Sequence, residues 1–138
     1  MKVHDFFEGL PNGYTKHFFR SAFAAAERGD GVGSSRQSRH GAVVVSGARI
    51  LARGYNQYKT HTALAAFTKW PFLHAESHAI IRCGLDNCTD NIIFSVRLRK
   101  NGNIGLANPC HICRAFMRNV GISTVYYTTD TGYICEGL

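Results

Sequence analysis

A chain of 138 residues suits one compact domain, with no room for a second core of ordinary size. A hydrophobic fraction of 45% excludes disorder throughout, and the formal net charge of +7 points to an anionic ligand, whether nucleotide or nucleic acid. Apolar runs such as Ala42-Val43-Val44-Val45 fall far short of the roughly 20 residues a membrane span requires. The opening Met1 to Glu8 lacks the basic end and continuous apolar stretch of a signal peptide. The expectation is a soluble, cytoplasmic protein with no membrane partner.

Taken in chain order, Phe18, Phe19, Ala22, Phe23 and Ala26 recur at the spacing of one helical face, with Thr15 as the expected cap. Gly29 to Ser38 reads as a linker. Gly41 to Val45 and Ile50 to Tyr55 read as two strands joined by a tight turn around Ser46-Gly47. The pattern then predicts a helix over Ala75 to Cys83, a strand over Asn91 to Arg99, a helix from Cys110 to Val120 stopped by Gly121, and a strand over Ser123 to Thr128. Thr129-Asp130-Thr131-Gly132 is a turn signal, and Tyr133-Ile134-Cys135 reads as a short final strand. No helix fits between the last two strands, so that pair is expected to be antiparallel. The order α-β-β-α-β-α-β implies an α/β fold with helices packed on a mixed sheet of about five strands.

The chemistry concentrates at two predicted helix starts. His74-Ala75-Glu76 opens one, and Pro109-Cys110-His111-Ile112-Cys113 opens the next. Residues three apart share a helix face, so Cys110 and Cys113 can grip one ion. Pro109 suits a helix start because its missing N–H would have had no intrahelical partner there. The helix N-terminus favours the thiolate form that binds metal. Two thiolates and one imidazole suit zinc, and three protein ligands leave a position for water, as catalytic zinc sites do. Glu76, two residues beyond His74, does not share its face and is better placed beside the metal-bound water than on the metal. Of the three remaining cysteines, Cys83 and Cys88 read as buried thiols, and His111 reads as an exposed helix residue.

These paired motifs, with the Gly41-Ala42-Val43-Val44-Val45 strand and the Gly54-Tyr55-Asn56 strand end, resemble the zinc-dependent cytidine/deoxycytidylate deaminase-like superfamily over roughly residues 36 to 128. The resemblance implies the three-layer α-β-α fold of that family, here one domain over residues 1 to 138. It implies Zn²⁺ held by His74, Cys110 and Cys113, with Glu76 as the catalytic acid/base in a hydrolysis that turns cytosine into uracil. It further implies that Asn56 contacts the substrate sugar, that the backbone of Ala75 lies against the base, and that the protein is a homo-oligomer.

Substrate signals are mixed. His74-Ala75-Glu76-Ser77-His78-Ala79-Ile80 and the Arg114 after Cys113 look like free cytidine deaminases, whereas Gly54-Tyr55-Asn56 looks like deoxycytidylate deaminases. Pro71-Phe72-Leu73 stands where tRNA adenosine deaminases carry a different word, so cytosine in a cytidine, deoxycytidine or (deoxy)cytidylate is expected. The alternatives are a single-stranded nucleic-acid cytosine deaminase, a tRNA adenosine deaminase, and a zinc-binding module without catalysis. Phe67, Trp70 and Phe72 are candidates to stack on a base, and Lys59, His61 and Lys69 to meet a phosphate. Alternation along the 91–99 strand puts Ile92, Phe94, Val96 and Leu98 on one face. Ser95, Arg97 and Arg99 fall on the other, read as a solvent face or a phosphate-tracking strip.

Overall fold

The run Ala42-Val43-Val44-Val45 is buried along its whole length, because it lies in a strand whose two faces are each covered by helices. The computed structural model describes residues 1–29, 38–57 and 73–138. Its helices are α1 (Val3–Glu8), α2 (Tyr14–Ala26), α3 (Ala75–Cys83) and α4 (His111–Asn119). Its strands are β1 (Ser38–Ser46), β2 (Arg49–Tyr55), β3 (Ile92–Arg99), β4 (Ile104–Gly105), β5 (Thr124–Thr128) and β6 (Tyr133–Gly137). No helix among the described residues is long and apolar enough to cross a membrane.

The sheet runs β2-β1-β3-β5-β6, with β4 paired to β3. β3 and β5 are parallel and the other neighbours antiparallel, so the sheet is mixed as expected and its final pair turns straight back. β1 and β2 are joined through Gly47-Ala48, with Ser46 opposite Arg49. The expected three layers are present. Helices α1 and α2 cover Val43, Val45, Phe94 and Val96, while α3 and α4 cover Ala42, Val44, Ile93 and Val125. On the first face Phe94 stacks on Tyr126 at 4.4 Å and meets Phe19 edge-on at 5.1 Å.

Three sequence expectations are corrected. Thr15 does not cap α2; the cap position is Gly13, whose φ of 117° starts the helix one residue before Thr15. Pro109 does not begin α4; Cys110 takes the cap in extended conformation and Pro109 precedes it. Ser95 is not on a solvent face, being fully buried, because α3 and α4 cover the side of β3 that alternation had left to water. Helix α1, which buries Phe6, and the two-residue β4 were not anticipated; each is too short to show a period. The linker expected over Gly29 to Ser38 falls mostly outside the described residues. Phe67, Trp70, Phe72, Lys59, His61 and Lys69 lie wholly outside them.

Two glycines let the helices approach the sheet. A Cβ on Gly41 would lie 2.1 Å from Ala22 O and 2.4 Å from Ala26 N of α2. A Cβ on Gly54 would lie 2.4 Å from Ala75 O and from Ala79 N of α3. The second contact sets where α3 begins. Gly54→Ala must push the first turn of α3 away from β2, so it should cost about 1–3 kcal/mol and roughly 3–10 °C in Tm. Gly132→Ala, where a Cβ meets nothing within 4 Å, is the matched control. Equal melting temperatures for the two variants would refute this account of the packing.

Candidate metal centre and active site

Helices α3 and α4 lie on the same face of the sheet and present their N-termini to each other. His74 occupies the cap position of α3 and Cys110 that of α4, each with extended backbone. Cys113 lies in the first turn of α4, and its N–H donates to Cys110 Sγ at 3.5 Å. The spacing of three thus works as a capping relation, the thiolate satisfying an N–H that the helix leaves without a partner. Across the gap, Cys113 Sγ lies 3.3 Å from His74 Nδ1, joining residues 39 apart in the chain.

One donor atom each from His74, Cys110 and Cys113 lies within 4.8 Å of the others. Tetrahedral zinc, at about 2.3 Å from sulfur and 2.0–2.1 Å from nitrogen, holds such donors roughly 3.5–3.8 Å apart. The set fits one zinc ion in distance and in ligand softness. His111 is exposed and is not part of the cluster, as expected. Cys88 is fully buried and Cys83 partly so; burial and a hydrogen bond with Cys83 push the Cys88 thiol up to about 12.

Electrostatics divide the two ligand thiols. The hydrogen bond from Cys113, with further help from His74, holds Cys110 down at about 4. Giving that bond, together with burial, raises Cys113 well above the usual thiol range. Burial depresses His74, but its hydrogen bond to Cys110 and the charges of Glu76 and Cys110 outweigh that and raise it. The two thiols are therefore unequal, and metal binding must displace the proton that Cys113 keeps.

Glu76 is buried beneath this cluster. Its Oε1 accepts a 2.6 Å hydrogen bond from Ser95 Oγ on β3. Burial raises its carboxyl, and the opposing pull of His74 and Ser95 does not cancel that rise. Ala75, the first residue of α3, is buried beside it. Asn56 lies just past the end of β2, also buried, where its Oδ1 accepts from His40 N–H at 2.9 Å. Its Nδ2 donates to Ser38 O at 3.4 Å.

Sequence reasoning missed several of these partners. Alternation alone places Ser95 on the outer face of its strand, and nothing in its flanking sequence marks it as the partner of Glu76. Ser77 Oγ lies 4.0 Å from Cys113 Sγ. His40 stands opposite Arg97 across β1 and β3, and burial, with Arg97 and His74 nearby, lowers it to about 4. On the strand face read as solvent or a phosphate-tracking strip, Arg97 Nε donates to Ser38 Oγ at 3.0 Å, and Arg99 pairs with Asp130 at 3.0 Å. Arg114 braces the loop before Cys110. It donates to Pro109 O at 3.2 Å and Asn108 Oδ1 at 2.6 Å, pairs with Glu136 of β6, and lies 5.9 Å from the centre of the Tyr127 ring.

If these three side chains hold the metal, Cys113→Ser should lower bound zinc from near one per chain and lower Tm with it, since metal affinity adds to folding stability. His111→Ala, altering the exposed residue between the two cysteines, should leave both unchanged. Full zinc content in Cys113→Ser, measured by atomic absorption, would refute the ligand set.

The profile of the cytidine and deoxycytidylate deaminase zinc-binding region matches residues 14–129. No curated protein is similar enough in sequence to count as a match. Among solved structures, the apo dCMP deaminase of cyanophage S-TIM5 is 21% identical with a TM-score of 0.57, covering 95% of this chain and 87% of its own. The same phage's dCMP deaminase in complex with dCMP and dUMP is 19% identical with a TM-score of 0.58, covering 92% and 82%. Cytidine deaminase of Mycobacterium leprae is 18% identical with a TM-score of 0.58, covering 90% and 94%. At these identities the structures establish a shared fold, and the profile spans most of the chain. The chain belongs to the cytidine and deoxycytidylate deaminase zinc-binding family.

Proposed function

We propose that this protein is a zinc-dependent hydrolytic deaminase that converts cytosine to uracil in cytidine, deoxycytidine or a (deoxy)cytidylate. The observation that carries the reading is the buried Glu76 carboxyl, fixed by Ser95 beside a His/Cys/Cys donor group. A zinc module without catalysis has no use for a carboxylate there, since desolvating it costs stability. Zinc, when bound, makes a water acidic enough to serve as the nucleophile near neutral pH.

The chain's own residues supply the proton handling and the orientation. Glu76 takes a proton from the attacking water and passes protons to the ring nitrogen and to the departing ammonia. Its raised affinity for a proton suits a group that must both accept and release one. Ser95 keeps the carboxylate aimed while this happens. Ala75 presents its backbone to the base, and Asn56, held by the backbone of β1, orients the sugar. That the S-TIM5 relative was solved with dCMP and dUMP supports a cytosine substrate and a uracil product. The protein acts in the cytoplasm, and it assembles as a homo-oligomer through the β6 side, where Tyr133 and Ile134 are 38% and 42% exposed. Light scattering showing only monomer would remove that assembly.

Glu76→Gln should retain zinc while ammonia release falls by about 10²–10⁴-fold. Continued deamination at near the wild-type rate would sink its role. Ser95→Ala should lower kcat by roughly tenfold to a hundredfold with little change in KM, as expected for loss of a hydrogen bond to a charged group. The substrate is tested by incubating the protein with cytidine, deoxycytidine, their phosphates and a cytosine-containing single strand, and reading uracil by mass. Turnover of the strand alone would transfer the reading to a nucleic-acid deaminase.

A further inference from the structure

Away from the metal centre, a groove of about 440 Å³ runs along the outer strand β2. Its floor is made of small and apolar residues, chiefly Ala25, Leu51 and Ala52. Its walls carry three arginines from three elements: Arg28 just past α2, Arg53 on β2 and Arg82 in the last turn of α3. Among the described residues no carboxylate lines it and none forms an ion pair with these arginines. Arg82 Nη1 donates to Arg53 O at 3.0 Å, and the Arg28 guanidinium lies 5.3 Å from the centre of the Tyr55 ring. Both long side chains are thereby steered toward the groove.

Basic residues on an edge strand often serve only to discourage strand pairing between molecules. That purpose accounts for Arg53 but not for the other two. Helices α2 and α3 lie on opposite faces of the sheet, yet Arg28 and Arg82 converge past the same edge from either side. Three guanidinium groups border one cavity with no carboxylate partner among the described residues, and a ligand with several negative charges meets more than one of them. The guanidinium fork matches phosphate oxygens, and the volume is in the range of small-ligand sites.

We propose that this groove binds an anion bearing two or more phosphate groups. Two sources carry that chemistry, a nucleoside polyphosphate and the backbone of a single nucleic-acid strand. The site is separate from the deaminase reading and contains none of His74, Glu76, Cys110 or Cys113. It touches the metal helix through Tyr55, whose N–H donates to His78 Nδ1 at 3.1 Å and whose ring packs on that imidazole at 4.8 Å.

The test uses the full zinc-loaded chain at low ionic strength with two probes. One is inorganic tripolyphosphate, followed by calorimetry. The other is a labelled twelve-nucleotide thymine strand, which offers no cytosine to the catalytic site, followed by anisotropy. Arg28→Gln/Arg53→Gln should weaken the binding of at least one probe by tenfold or more. Lys16→Gln/Lys100→Gln, which removes the same charge from positions outside the groove, should change it less than twofold. Tighter binding of tripolyphosphate names a free polyphosphate as the source, and tighter binding of the strand names a polynucleotide. If the double variant loses zinc or melts early, Arg53→Gln alone serves, with a loss of threefold or more expected. Failure of both probes to bind, or equal losses in groove and control variants, would overturn the proposal.

Discussion

Two helix N-termini meet over one face of the sheet, and the site depends on their contact. His74 and Cys110 each occupy a cap position, where backbone N–H groups lack intrahelical partners and negative charge is favoured. The 3.3 Å approach of Cys113 Sγ to His74 Nδ1 closes the gap between them. A thiolate placed there is stabilised by the helix it caps and by the imidazole opposite. The donors converge without any one element having to supply all three.

Holding two helix ends that close requires a backbone that lets them in. Gly54 allows α3 to rest on β2 with backbone atoms where a side chain would otherwise stand. The loop before α4 is held from the other side. There Arg114 ties Pro109 and Asn108 to Glu136, so the last strand helps to fix the approach to Cys110. Thr128 adds a second tie, its Oγ1 donating to Gly105 O at 2.8 Å while its carbonyl accepts from Ala107 N–H. The carboxyl terminus of the sheet and the metal loop are thus one mechanical unit.

Glu76 shows why burial and function are joined here. Water would solvate an exposed carboxylate and leave its proton affinity ordinary, whereas the covered pocket raises it. The 2.6 Å hydrogen bond from Ser95 keeps the group oriented. His40, on the neighbouring strand, is lowered by its surroundings and stays uncharged, so it adds no positive charge beside the donor group near neutral pH.

Local pattern was enough for the elements with a clear period or a clear stop. The apolar face of α2, the helix over Ala75–Cys83, the stop at Gly121, whose φ is 90°, and the antiparallel last pair were all legible along the chain. So were His74, Cys110, Cys113 and Glu76 as a group, because ligand type, spacing and helix position agree within short windows. The partnership of Ser95 with Glu76, the placement of His40 near His74 and the bracing by Arg114 were not legible. Each joins residues that neither share an element nor repeat at a characteristic spacing. Alternation along β3 separates its two faces, but it carries no sign that helices cover both, which is why Ser95 reads as a solvent residue from the chain alone. Which side chains form the candidate donor group, with a carboxyl beside it, was determined by the sequence, through short-range spacing. How they are aimed and protonated was decided only by the tertiary structure, because packing alone sets burial and brings distant polar groups within hydrogen-bonding range.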